Sequence, residues 1–121
     1  PTACELLSLG FQIRAFVRNP NSENSKKLKE LGAELFVGNQ DNINDLKKSL
    51  KGVQRAFYNS PASSGHFSRT DTFIKLTEEE GVEHVGYLTQ WLSSEDHQSP
   101  HTREHWLSDE AVKKHKKVNY T

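Results

Sequence analysis

The sequence predicts an α/β fold built on a doubly wound parallel sheet, and three observations predict it. One phrase, a helical pattern stopped by glycine and followed at once by a short strand, occurs four times: CELLSLGFQIRAFV, KKLKELGAELFVG, KKSLKGVQRAFY and KLTEEEGVEHVGYL. The stops, Gly10, Gly32, Gly52 and Gly81, recur every 20 to 29 residues. That leaves room for one helix and one strand per unit, so successive strands run parallel through right-handed crossovers. At 121 residues the chain is one domain at most, too short for a closed barrel of eight such units, which takes about 250 residues.

Each element follows from local chemistry. The chain opens in a helix whose Cys4 has the spacing of a small packing residue, and a lone cysteine excludes an internal disulfide or a multi-cysteine metal site. Phe11 to Val17 alternates apolar and polar side chains as a strand does. Asn21 or Ser22 can cap the second helix, and Asn42 with Asp45 three residues on resembles a capping box for the third. Leu28 with Leu31, and Ile43 with Leu46 and Leu50, mark apolar helical faces. Glu34 to Val37, Val53 to Tyr58 and His84 to Thr89 are the next strands, rich in β-branched and aromatic residues. The polar stretch LSSEDHQSPH is a loop, and Ser99 with Pro100 makes an N-cap and first helical residue for a last helix to about Lys114. KVNYT opens a fifth strand. The strand that should feed the first helix is absent, so the fold is expected to be incomplete at both ends, a fragment of a larger domain.

Sixteen basic and sixteen acidic side chains cancel, so no global field draws the protein to nucleic acid or an anionic membrane. No apolar run spans a bilayer and no signal-peptide pattern occurs at the start, which points to a soluble, cytoplasmic chain. Any recognition of an anion must be local. In doubly wound sheets ligands bind beyond the carboxyl ends of the strands. Those tips are Arg18-Asn19-Pro20, Gly38-Asn39-Gln40-Asp41, Asn59-Ser60-Pro61 and Thr89-Gln90-Trp91. A carboxylate at the first of these would suit the ribose hydroxyls of NAD, whereas the arginine found there suits the 2′-phosphate of NADP. The alternative for Arg18 is a solvated loop charge.

The run IRAFVRNPNSENSKKLKELGAELFVGNQDNINDLKKSLKGVQRAFY resembles the NmrA-like branch of atypical short-chain dehydrogenases, with its arginine-Asn-Pro turn, LGAE helix end and Gly-Asp-like turn. YLTQWLSSEDHQSPHTREHWLSDE is similar to a later segment of the same family. The resemblance implies a Rossmann-type domain that binds NADP in preference to NAD. It places Arg18 at the 2′-phosphate and adenine side, Asn39 beside the adenine where the family usually has an aspartate, Asn59, Ser60 and Pro61 along the cofactor, and Thr89 near the nicotinamide. The family's glycine-rich phosphate turn falls before Pro1, and no Tyr-x-x-x-Lys pair occurs. Two functions follow from the resemblance: an NADPH-dependent oxidoreductase of quinone-like or azo-like small molecules, or a non-catalytic NADP-sensing protein that binds a regulatory protein partner. The missing tyrosine favours the sensor; the tryptophans and histidines after the fourth strand favour an acceptor pocket.

Other motifs have plainer readings. HTREH, His101 to His105, matches the H-x-x-E-H pattern of zinc sites, but a third ligand is expected from a later helix this chain does not contain, so no metal is assigned. SSGH, Ser63 to His66, lacks a nucleophile elbow and has the composition of a loop over the strand tips. Trp91 and Trp106 either stack on a substrate or shield a sheet edge, the latter favoured. KKHKK, Lys113 to Lys117, is the solvated end of a helix.

Overall fold

Five helices alternate with five strands in the computed structural model, which describes residues 2–60, 65–115 and 117–121. All strand pairs are parallel, as a doubly wound α/β fold requires. The chain forms two compact units, residues 1–49 and 50–121.

The first unit contains α1 (Thr2–Ser8), β1 (Arg14–Val17), α2 (Glu23–Glu30), β2 (Glu34–Val37) and most of α3 (Ile43–Leu50). Strands β1 and β2 pair in register from Arg14 opposite Glu34 to Val17 opposite Val37. Phe16 stacks on Phe36 at 5.7 Å, while Ala33 and Leu46 are buried. Leu31 and Ile43, placed by periodicity on apolar helical faces, are exposed instead. Ser22, not Asn21, caps α2 by accepting from the Ser25 amide.

The second unit contains β3 (Arg55–Tyr58), α4 (His66–Glu79), β4 (His84–Tyr87), α5 (Pro100–Lys114) and β5 (Asn119–Tyr120), in sheet order β3-β4-β5. Its core gathers Phe73, Ile74 and Leu76 of α4, Val85 of β4, Ala111 and Val112 of α5, and Val118. Tyr58 stacks on Phe73 at 4.3 Å.

The four glycine stops all take positive φ, from 73° to 100°, a region closed to most side chains. Around Gly10, Gly32 and Gly81 the backbone makes the paired bonds of a Schellman ending: Gly10 N–H to Leu7 O and Phe11 N–H to Leu6 O, with the same pattern at Gly32–Ala33 and Gly81–Val82. This shortens the expected strands. Phe11 closes α1, and pairing starts only where Ile13 O accepts from Glu34 N–H; Val53 likewise closes α3 through Leu50 O. At the other end β4 stops at Tyr87 rather than Thr89.

Candidate functional site at the strand tips

In the first unit the tips are held by their own polar side chains. Asn19 Oδ1 accepts from Asn21 N–H, and its carbonyl accepts from Ser25 Oγ at 2.7 Å. This fixes the turn that follows Arg18. Arg18 itself is exposed, and among the described residues it makes no hydrogen bond or ion pair. At the second tip Asn39 Oδ1 accepts from Asp41 N–H at 3.0 Å, and Asp45 Oδ2 accepts from Asn39 N–H at 3.0 Å. The capping box anticipated at Asn42 and Asp45 is therefore half formed: Asn42 Oδ1 accepts from the amides of Asn44 and Asp45, but the Asp45 carboxylate reaches past Asn42 to the strand tip. Gly38 is there because of packing. A Cβ on it would lie 2.9 Å from Phe16 Cζ and 3.0 Å from Asp45 Cβ.

In the second unit a cavity of about 330 Å³ opens at the ends of β3 and β4, lined by Asn59, Ser60, Leu88, Thr89, Gln90, His101 and His105. The structure thus brings Asn59, Ser60 and Thr89 to one cavity, while Pro61 lies outside the described residues. Thr89 is committed to its wall: its hydroxyl donates to Asp109 Oδ1 at 2.5 Å, and Ser93 Oγ donates to Asp109 Oδ2 at 2.9 Å. One carboxylate on α5 therefore holds the loop after β4. Within that loop Leu92 takes a left-handed φ of 59°, a region that non-glycine residues with bulky side chains rarely enter. Trp91 is 86% exposed, so the packing role favoured for it is not the one it has; Trp106 lines a second cavity of about 290 Å³ with Phe67 and Leu107.

The histidines contribute what sequence reading missed. His66, expected in a loop over the tips, is the first residue of α4 and is 1% exposed. Its Nε2 meets the Tyr87 hydroxyl at 3.1 Å, and its ring packs against His105 at 3.9 Å between centroids. His101 meets His105 edge-on at 4.8 Å. Both His66 Nδ1 and His105 Nδ1 are buried without a partner among the described residues. Burial, with the neighbouring His105 and His101, lowers the His66 pKa to about 4, and burial followed by His101 lowers that of His105. Burial, with Asp109, raises the Tyr87 hydroxyl to about 12. Glu104, the acid of HTREH, accepts from the His66 amide at 3.2 Å. Among the described residues no three His, Cys, Asp or Glu side chains form a group that could hold a metal ion, and no helix is long and apolar enough to cross a membrane.

The chain resembles known proteins in sequence and in fold. The NmrA-like family domain-containing oxidoreductase malD of Malbranchea aurantiaca is 29% identical over 86 residues, 64% of this chain and 26% of that protein. Citrobacter sp. triphenylmethane reductase matches in fold with a TM-score of 0.79 at 22% identity, over 98% of this chain and 42% of that one. The NADPH-dependent quinone oxidoreductase QOR2 of Escherichia coli, complexed with NADPH, matches with a TM-score of 0.80 at 19% identity, again over 98% and 42%. The chain thus spans less than half the length of each of these relatives. The family pattern itself runs through residues 3–117, almost end to end, and the chain belongs to the NmrA-like family.

Proposed function

We propose that the protein is an NADPH-dependent oxidoreductase of quinone-like or azo-like acceptors that takes NADP in preference to NAD. The observation that carries the cofactor choice is Arg18: an exposed guanidinium at the tip of β1 with no partner among the described residues, beside a turn already made rigid by Asn19 and Ser25. A free planar fork of donors at a fixed strand end suits a phosphate. Asn39 keeps its amide NH₂ for an adenine, its Oδ1 being spent on Asp41. In the second unit Asn59, Ser60 and Thr89, with Pro61 beside them in sequence, would line the cofactor. Triphenylmethane reductase and QOR2 share the fold, and structures of both hold NADP(H); malD is a family oxidoreductase. A reduced nicotinamide would supply a hydride; the chain's residues bind, orient and exclude water.

Calorimetric titration of the chain with NADP⁺ and with NAD⁺, repeated on Arg18→Ala, tests the assignment. NADP⁺ is expected to bind more tightly, and losing the charge-assisted contact should weaken it about 10- to 100-fold while leaving NAD⁺ unchanged. Equal affinities, an equal effect of Arg18→Ala on both nucleotides, or no heat with either, would rule it out. NADPH consumption with a quinone panel then separates an oxidoreductase from a sensor, which consumes none above background.

A further inference from the structure

Among the residues lining the cavity at the tips of β3 and β4, the two imidazoles are the only side chains of acid–base character; the others are Asn59, Ser60, Leu88, Thr89 and Gln90. His101 and His105 stand one helical turn apart at the start of α5, so both face the same way. Their i, i+4 spacing is also that of the Tyr-x-x-x-Lys pair absent from this sequence. His105 is held from behind by the His66 ring, itself fixed to the Tyr87 hydroxyl, and in front it meets the edge of His101. Asp109 ties down the loop forming the adjoining wall.

We propose that His105 is the proton donor to an uncharged, planar carbonyl acceptor of the quinone class seated in this cavity, and that His101 returns the proton from water. This assignment rests on the oxidoreductase function proposed above. A bound dihydronicotinamide would supply the hydride, two electrons with one hydrogen, to the quinone and would be left oxidised. The proton on the His105 imidazolium passes to the quinone oxygen, leaving neutral His105 and a hydroquinone. His101, half-exposed, then reprotonates its neighbour. The groups around His105 are His66 from α4, which Tyr87 of β4 holds in turn, and His101, Glu104 and Asp109 from α5; burial and His101 hold its pKa down against the two carboxylates. The imidazolium is the minor form at neutral pH, so turnover rises as pH falls.

Duroquinone is a suitable probe because its ring is fully substituted and does not add to Cys4. The test is ring-nitrogen NMR of the histidines with duroquinone, followed by NADPH oxidation with the same quinone for the wild type, His105→Gln and His101→Gln. Expected are shifts of the His101 and His105 ring nitrogens. A kcat loss of about 100-fold or more in His105→Gln, together with loss of the acid-side rise in rate and unchanged nucleotide heat, should accompany them. Unmoved ring nitrogens overturn the proposal whatever the nucleotide does, and the wild-type chain alone decides this. Shifted nitrogens with unchanged turnover in both variants overturn the proton role and leave the oxidoreductase function standing. No NADPH oxidation by the wild type overturns both; nucleotide heat then tells whether the cofactor or the acceptor chemistry failed.

Discussion

His66 shows how a single residue can couple proton binding to folding. It is sealed beneath the strand tips at 1% exposure with one ring nitrogen unpartnered, and its pKa falls from 6.5 to about 4. The unfolded chain therefore binds more protons than the folded one between these values, and stability rises with pH across that window. Its contribution is complete above about pH 6.5 and is lost as pH falls toward 4, on the order of 3 kcal/mol from this residue. Urea denaturation at pH 4.5, 5.5 and 7 should show the midpoint rising, and the slope should shrink in His66→Phe. An unchanged slope would mean that His66 is not the group responsible. In sequence this histidine sits in SSGH, which has a loop's composition; burial by α5 residues 35 or more positions downstream is what no local pattern displays.

At the scale of elements, the start of α4 has no cap of its own. Gly65, at φ 84°, offers no side-chain acceptor. The Glu104 carboxylate on α5 accepts from the His66 amide in its place, at the helix end where negative charge is favoured. Glu104→Ala should cost about 1 kcal/mol and speed amide exchange in the first turn of α4 while β3 and β4 keep their protection. Exchange rates unchanged at 66–69 would show that the contact caps nothing. Helix α5 inverts the lesson. Ser99 and Pro100 were legible as its start, and it does begin at Pro100, yet Ser99 makes no side-chain cap. The loop before it is gripped instead by Arg103, which donates to the carbonyls of His97 and Gln98. Position was readable there because proline presets φ; the stabilising contact was not, because a long flexible side chain chooses among several acceptors.

For the whole molecule, apolar composition is low and part of it remains outside. Hydrophobic residues make up 33% of the chain, and Phe11, Val37, Phe57, Leu88 and Tyr120 are exposed on or beside strands. Strand edges bearing exposed apolar residues associate with one another. The chain is expected to show a broad thermal transition at low temperature whose midpoint moves with protein concentration, measured by calorimetry alongside sedimentation. A sharp, concentration-independent melt of a monomer would contradict this.

Taken by itself, the sequence determined the parallel α/β plan. Each glycine stop is a backbone requirement met within about five residues, and each strand that follows is favoured by its own side chains. It also identified Arg18, Asn39, Asn59, Ser60 and Thr89 as strand-tip residues, because tips follow from strand ends. Only the tertiary structure decided that Thr89 would spend its hydroxyl on Asp109, that Glu104 would cap α4, and that His66, His101 and His105 would form one cluster. Those contacts join residues up to 39 positions apart in the sequence. Their geometry is set by how α4 and α5 pack over the strands, and local propensity carries no record of that packing.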